Sequence, residues 1–148
     1  MALNMTGEYV SPIARKEVWK ALNDPEMLKR CIPGCESLEK VSDTEFTAVA
    51  RLEAGPVKAR FKGRVKLEDL VPPESYKIVG EGEGGVAGFA KGNAAVTLSD
   101  VPEGTKLVYQ AEASVGGKIA QLGQRLLAGT AKKTADRFFA NFAKALTE

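Results

Sequence analysis

One stretch of the sequence, residues 57–67, alternates without a break between two kinds of side chain, and this alternation limits the folds that the chain can adopt. The small or apolar positions are Val57, Ala59, Phe61, Gly63, Val65 and Leu67. The basic positions are Lys58, Arg60, Lys62, Arg64 and Lys66. Successive side chains of a β-strand point to opposite faces, so the pattern predicts an antiparallel strand with one buried face and one solvated face.

The same period of two extends from Ser37 to Val115. It predicts further strands over residues 44–54, 74–83, 87–100 and 104–115, with turn residues at 72–73, 84–85 and 102–104 between them. An earlier strand is predicted over about residues 3–10. The chain therefore contains an antiparallel meander.

Apolar residues recur at helical spacing both before and after the meander in the sequence. Residues 13–24 form a predicted helix, with Ser11 as its N-cap and Pro12 at its first helical position. Asp24 and Pro25 start a second short helix over residues 25–31, which ends at Pro33-Gly34. The order of strand, two short helices and meander, followed by a long helix, predicts an α+β fold.

The last segment, residues 118–146, contains no proline and carries apolar side chains at helical spacing. These are Ile119, Leu122, Leu126, Phe138, Phe142 and Leu146. A continuous helix here would be about 40 Å long at roughly 1.5 Å per residue. Gly123 and Gly129 weaken it or mark places of close approach. Its apolar face must be buried, and the apolar face of the sheet is the available partner.

Many positions on the predicted inner face of the sheet are small. They are Ala48, Ala50, Ala59, Gly63, Gly80, Gly82, Ala90, Gly92, Ala94, Ala111 and Ala113. A tightly packed core normally fills such positions with larger apolar side chains. Either the helix lies very close to a strongly bent sheet, or a ligand occupies the space between them.

On the second reading, larger side chains form the walls of a pocket for an apolar ligand. From the sheet these are Phe46, Phe61, Tyr76, Leu107 and Tyr109; from the last helix they are Leu122, Leu126 and Phe138. The loops around Pro33-Gly34 and at residues 84–88 are candidate gates. Tyr76 or Tyr109 could bond a polar group on the ligand, although a buried tyrosine more often bonds backbone or water.

The sequence contains no histidine, so a Ser-His-Asp triad and a His-ligated metal site are excluded. Cys31 and Cys35 have the wrong spacing for a thioredoxin-type pair and no second cluster for zinc, so we interpret them as two buried thiols. No catalytic residue and no metal ligand is predicted. The formal charge of +2 does not indicate a nucleic-acid partner.

The glycines of residues 80–85 match a dinucleotide-binding spacing, but two glutamates lie among them and no helix start follows. The basic residues of the strand and of the last helix are interpreted as a solvated surface, or as an attraction to an anionic membrane or an acidic protein. Because no secretory signal and no membrane-spanning apolar run is visible, we expect a cytoplasmic protein.

Three segments of the sequence, taken together, are specific enough to indicate a protein family. They are CIPGCESLE (31–39), GPVKARFKGRV (55–65) and ASVGGKIAQLGQRLL (113–127), with FFANF (138–142) near the end. They resemble the CoxG-like family of carbon monoxide dehydrogenase subunits, within the START/polyketide-cyclase-like (SRPBCC) superfamily. The resemblance implies one domain over residues 1–148 with the helix-grip fold, in which about seven antiparallel strands wrap around a long C-terminal helix.

The resemblance also implies a function. Members of the family are linked to molybdenum-containing carbon monoxide dehydrogenases and related hydroxylases, as accessory proteins in membrane recruitment or quinone coupling. It suggests a non-covalently bound isoprenoid quinone or similar lipid as ligand. Longer relatives carry a C-terminal extension that can anchor them, whereas this chain stops at Glu148. We therefore expect a soluble shuttle or a peripheral contact at the inner face of the membrane.

Three hypotheses follow. The first is a non-catalytic carrier of an apolar ligand beside a molybdenum hydroxylase. The second is an enzyme of the cyclase or hydratase kind, with Tyr76, Tyr109 or a buried carboxylate as proton donor. The third is a docking module that acts through its basic faces while its interior is packed solid.

Overall fold

The computed structural model describes residues 1–147, and these residues form one sheet and three α-helices. The strands are β1 (Ala2–Ser11), β2 (Cys35–Lys40), β3 (Glu45–Ala54), β4 (Val57–Val71), β5 (Ser75–Glu83), β6 (Phe89–Val101) and β7 (Gly104–Gly116). The helices are α1 (Arg15–Leu22), α2 (Pro25–Cys31) and α3 (Gln124–Leu146). Short 3-10 turns lie at Gly85–Ala87 and Lys118–Leu122.

The seven strands of residues 1–147 are all antiparallel to their neighbours, in the order β1-β7-β6-β5-β4-β3-β2. The sheet is curved and α3 packs on one of its faces, so the predicted helix-grip fold is confirmed. We call the face that packs on the helices the inner face and the opposite one the outer face. The alternation in β4 is confirmed as well, because its basic residues are exposed.

The predicted start of α1 is wrong. Ser11 pairs with Thr105 at the end of β1, so its backbone still belongs to the strand. Its hydroxyl accepts a hydrogen bond from the Ile13 amide at 3.2 Å, and α1 begins at Arg15 with Ala14 as an N-cap that provides no side-chain bond. The α2 prediction is confirmed, with the Asp24 carboxylate accepting from the Glu26 amide at 3.0 Å.

The C-terminal segment is not one continuous helix. Residues Lys118–Leu122 form a 3-10 turn, and α3 begins only after Gly123. Gly123 has φ +91° and ψ 153°, a conformation that glycine adopts readily and other residues rarely do. At about 1.5 Å per residue, α3 is therefore about 34 Å long. The strand predicted from residue 87 begins at Phe89, because Ala87 lies in the preceding 3-10 turn.

Two packed clusters hold the helices on the sheet. The helix-end cluster lies where α1, α2 and the second half of α3 meet the sheet, and its buried members are Val18, Ala21, Leu22, Cys31, Phe46, Leu67, Tyr76, Val96, Leu98, Leu107 and Phe142. The turn-end cluster lies at the start of α3, and its buried members are Ala54, Val115, Ile119 and Leu127.

The cysteines lie on either side of the turn after α2. Cys31 is buried in the helix-end cluster as predicted, whereas Cys35 opens β2 and is only partly buried. Both are free thiols, and burial raises the pKa of each. The Asn141 amide donates a hydrogen bond of 3.0 Å to the Cys31 carbonyl, which ties α3 to the end of α2.

Candidate functional site

The small residues predicted for the inner face share that face in the structure. Strand register aligns Ala48, Gly63, Gly82 and Ala90 in one row across β3 to β6. The next rows contain Gly80, Gly92 and Ala113, then Ala94 and Ala111. Ala50 and Ala59 lie on the same face of β3 and β4. All of these positions form a band of small residues between the two packed clusters.

This band keeps part of its surface accessible. Each small residue named for it is partly exposed, and so are four larger inner-face neighbours, Met5, Phe61, Val65 and Ile78. By contrast, Val18 and Phe142 in the helix-end cluster are 0% exposed. The middle of the inner face is therefore lined by small side chains and is less completely buried than the two clusters, although Phe61, Val65 and Ile78 pack against those clusters.

Helix α3 contributes small residues at the same level. Ala131 and Ala135 are partly buried and follow Leu127 at intervals of four along one side of the helix, ahead of Phe138. Large side chains therefore occupy the two ends of the helix face and small ones its middle. These alanines were not among the predicted pocket residues, although their spacing from Leu127 is a signal in the sequence that indicates them.

A cleft of about 610 Å³ opens between the edge strand β1 and α3. It reaches the inner face through Leu3, Met5, Gly7, Tyr9 and Tyr109, and its helix side contains Ala128, Ala131, Lys132, Asp136 and Phe139. The outward side chains of β1 complete its rim. The Gln124 side chain donates a hydrogen bond of 3.2 Å to the Ala2 carbonyl, which joins the start of α3 to β1 beside the cleft.

Three aromatic rings form one wall of the cleft. Phe139 stacks on Tyr9 with ring centroids 5.1 Å apart and on Tyr109 with centroids 5.7 Å apart. The Tyr109 ring lies directly over Gly7, where a Cβ would overlap its ring and its hydroxyl. Gly7 is therefore the residue that lets Tyr109 lie against the edge strand.

The two tyrosines singled out from the sequence have different surroundings. Tyr76 is 5% exposed in the helix-end cluster, with its ring 5.1 Å from that of Trp19, and burial raises the pKa of its hydroxyl. Burial also raises the pKa of Tyr109, the Asp136 carboxylate raises it further, and Lys132 opposes both effects. Only Tyr109 of the two lines the cleft.

The other predicted wall residues lie deeper or further away. Phe46 and Leu107 are buried in the helix-end cluster, and Phe138 packs against it. Phe61, Ala90 and Leu122 pack against the turn-end cluster. Leu126 is 37% exposed and covers Gly55 at the β3–β4 turn, so it lies at the edge of the molecule.

The cleft also lies apart from the two loops predicted as gates. A backbone hydrogen bond of 2.8 Å ties the Gly34 carbonyl to the Arg51 amide, and another of 2.8 Å closes the loop between Gly84 and Gly88. The opening described here is instead between β1 and the middle of α3.

Two larger grooves, of about 820 and 1070 Å³, cross the outer face. They share a wall formed by Thr47, Arg64, Glu81 and Lys91, one from each of four neighbouring strands. Their walls carry charges of both signs and are open to solvent. The cleft is bounded by both α3 and the sheet and is lined by three aromatic rings, so it is the stronger candidate site for an apolar ligand despite its smaller volume.

Within residues 1–147, no group of three or more His, Cys, Asp or Glu residues is arranged to hold a metal ion. The same part of the chain has no fully buried side-chain polar atom without a hydrogen-bond partner. None of its helices combines the length and the apolar character needed to cross a membrane. The cleft combines an aromatic and aliphatic wall with polar and ion-pair groups at its rim.

Solved structures with this architecture include a conserved protein from Geobacillus kaustophilus, which is 34% identical, with a TM-score of 0.88 over 99% of this chain and 95% of that one. Ara h 8.0201 is 17% identical, with a TM-score of 0.68 and full coverage of both chains. The di-domain ARO/CYC protein BexL from the BE-7585A biosynthetic pathway is 18% identical, with a TM-score of 0.66 over 99% of this chain and 50% of that one.

The latter two likenesses are below 25% identity and show the fold alone. No curated protein matches the sequence. The model of the CoxG family of carbon monoxide dehydrogenase subunits matches residues 7–147, which include every strand and helix described above except the first residues of β1. The chain therefore belongs to the CoxG family of carbon monoxide dehydrogenase subunits.

Proposed function

We propose that the protein is a non-catalytic accessory protein that carries an apolar ligand between its sheet and α3, with an isoprenoid quinone or a similar lipid as the occupant. The observation that carries the proposal is the partly exposed band of small residues between two packed clusters. Apolar surface left in contact with water forgoes about 25 cal/mol per Å² of stabilisation. A ligand that covers the band would recover that free energy, and the β1–α3 cleft offers it a route.

Membership of an accessory-protein family supports carriage over catalysis. BexL is an ARO/CYC protein, but its likeness extends to the fold alone. Among the inner-face positions described above, the groups able to move a proton are the tyrosine hydroxyls. Burial raises the pKa of Tyr9, Tyr76 and Tyr109, which makes proton release harder near neutral pH. We therefore favour the carrier over the cyclase.

Extraction and mass spectrometry of the purified protein test whether it retains a lipid, and titration with decylubiquinone tests uptake. The variant Ala94→Phe places a large ring in the band of small residues. Ala95→Phe is the matched control, because Ala95 is the next residue of β6, is exposed and points to the outer face. We expect Ala94→Phe to lose decylubiquinone binding by at least tenfold and Ala95→Phe to retain it.

Two results would contradict the carrier. One is a protein that is purified empty and binds neither decylubiquinone nor oleic acid. The other is equal binding by both phenylalanine variants, since that would place the ligand away from the inner face.

We also propose that the turn end of the molecule makes a peripheral contact with an anionic membrane. Val86 is 92% exposed at the tip of the β5–β6 loop, and Leu126 is exposed on the first turn of α3. The 3-10 turns at Gly85–Ala87 and Lys118–Leu122 lie against each other, and Lys118 in the second turn is exposed. Arg125 is exposed next to Leu126 in the sequence. Apolar tips flanked by cations suit the surface of an anionic bilayer.

Co-sedimentation with vesicles of phosphatidylglycerol or of phosphatidylcholine tests the membrane contact. Val86→Asp should reduce binding to the anionic vesicles severalfold. Val41→Asp is the matched control, because Val41 is 62% exposed in the β2–β3 turn, away from these loops. Equal sedimentation of the two variants, or no preference for phosphatidylglycerol, would contradict this contact.

For the partner, the family name supports an association with carbon monoxide dehydrogenase. We propose a molybdenum-containing enzyme of that type, with this protein aiding its recruitment to the membrane or its coupling to quinone. Co-purification of the two proteins is the test. If the exposed basic residues of β4 mediate the contact, it should weaken at moderate salt, whereas a complex that ignores salt would point to an apolar interface.

A further inference from the structure

The part of α3 that lines the β1–α3 cleft carries two charged side chains, one turn of the helix apart. The Lys132 ammonium and the Asp136 carboxylate form an ion pair of 2.9 Å on successive turns of α3. The other helix residues that line the cleft are Ala128, Ala131 and Phe139. A ligand with its apolar part on the inner face would therefore meet this ion pair at the mouth of the cleft.

Tyr109 lines the same cleft from the sheet side, opposite the helix that carries this ion pair. Its ring is fixed between Phe139, on which it stacks, and Gly7, over which it lies. The hydroxyl feels the charges of both Lys132 and Asp136, so it lies within electrostatic range of the ion pair. Within residues 1–147 the Tyr109 hydroxyl has no hydrogen-bond partner. Every fully buried polar side-chain atom of these residues has a partner, so the Tyr109 hydroxyl must be at least partly accessible to solvent.

Tyr9 provides an internal comparison. It stacks on the same Phe139 ring and also lines the cleft, but the polar side chain beside its hydroxyl is that of Ser11, which lowers the pKa of Tyr9 against the effect of burial. The Tyr109 hydroxyl is instead influenced by the charges of Lys132 and Asp136. Tyr109 is therefore the tyrosine that is placed to act together with the ammonium group.

We propose that Tyr109 and Lys132 form a head-group subsite at the mouth of the cleft, which binds a carbonyl or carboxylate oxygen at the end of an apolar chain. The Tyr109 hydroxyl and the Lys132 ammonium both donate to that oxygen. Asp136 is a positioning residue that holds the ammonium in place before the ligand arrives. The subsite rests on the proposed carrier function and adds the class of ligand: an amphiphile with one hydrogen-bond-accepting head.

The experiment compares two probes on the full chain. Decylubiquinone has carbonyl oxygens, and diphenylhexatriene is an apolar fluorophore with no polar atom. We expect Tyr109→Phe and Lys132→Met each to weaken decylubiquinone binding by about 5- to 30-fold, the effect of losing one hydrogen bond. Diphenylhexatriene binding should stay within about twofold of the wild type. Circular dichroism checks that each variant is folded.

Two matched controls separate the subsite from general damage to the cleft. Tyr76→Phe removes a tyrosine hydroxyl that is buried in the helix-end cluster, and Lys133→Met removes an exposed ammonium next in sequence to Lys132. Neither residue lines the cleft. Both should bind the two probes as the wild type does.

The outcomes distinguish the two proposals. If the wild type binds both probes and all four variants bind decylubiquinone equally, the head-group subsite is wrong while the carrier stands. A wild type that binds neither probe overturns the carrier, and the subsite with it.

Discussion

The helix-end cluster and the band of small residues lie on the same face of the same strands, yet they are packed in opposite ways. In β6, Val96 and Leu98 are buried in the cluster, whereas Ala94 and Gly92, only a few residues earlier, keep accessible surface. In α3, Phe142 is fully buried, while Ala131 and Ala135 are not. One region consists of large side chains in contact, and the other of small ones that keep part of their surface accessible.

This difference separates stability from function. The cluster joins α1, α2, α3 and the sheet, so it can hold the fold together without help from the middle of the inner face. The band consists of small side chains and contributes less buried apolar area, and it is where we propose that the ligand binds. Substitutions in the two regions should therefore have different consequences.

The largest effect is expected in the packed region. Phe142→Ala removes a ring with no exposed surface and should lower the free energy of unfolding by about 3–5 kcal/mol. Phe61→Ala removes a ring of the same size that is partly exposed on the inner face, and should lower it by no more than about half as much. Urea denaturation measures both losses of stability. Equal losses would mean that the inner face around Phe61 is packed as tightly as the helix-end cluster.

A smaller effect is expected from enlarging an alanine in each region. Ala21→Leu in the helix-end cluster should destabilise the protein by about 1–3 kcal/mol, because a close-packed core has no room for added methylenes. Ala94→Leu in the band should change the free energy of unfolding by less than about 1 kcal/mol while reducing decylubiquinone binding. Thermal denaturation and ligand titration check this pair, and a heavy loss of stability in Ala94→Leu would mean that the band is already filled.

The smallest effect concerns alkaline pH. Burial raises the pKa of Tyr76 above its ordinary value of 10.0, so the folded protein keeps a proton that the unfolded chain releases. Its contribution to stability is therefore complete below about pH 10 and is lost as the pH rises further, with a slope of at most about 1.4 kcal/mol per pH unit.

Denaturation between pH 8 and 11 measures this slope for wild type, Tyr76→Phe and Tyr109→Phe. Tyr76→Phe should flatten the alkaline decline more than Tyr109→Phe does, since Tyr109 lies in the cleft and is less buried. The reverse order would mean that Tyr109, not Tyr76, lies in the packed region.

The sheet could be predicted from the sequence because its period of two is unambiguous. The alternation in β4 and the turns around it depend on local side-chain chemistry, and the structure confirms them. The α1 cap was wrong for a non-local reason: Ser11 is held in the strand by pairing with Thr105, far away in sequence. The break at Gly123 needed a backbone angle that a helical pattern does not reveal.

The site was harder to predict than the fold. Alternation placed Ala94, Ala111 and their neighbours on one face correctly, but it did not indicate which large residues on that face would be buried. Tyr76 and Tyr109 look equivalent in the sequence, and only the position of α1 and α3 over the sheet makes one a core residue and the other a cleft residue. Lys132 became a candidate only when α3 was seen beside β1.

The most direct test of the central claim is methyl NMR of the protein titrated with decylubiquinone, because neighbouring residues of the sheet report on opposite faces. If the ligand binds on the inner face, the largest shift changes should occur at the methyl groups of Met5, Ile78 and Ala94, with Val49 and Val79 on the outer face nearly unchanged. Shifts that concentrate at Val49 and Val79, with the inner face unaffected, would place the ligand in the outer grooves and contradict the proposed carrier.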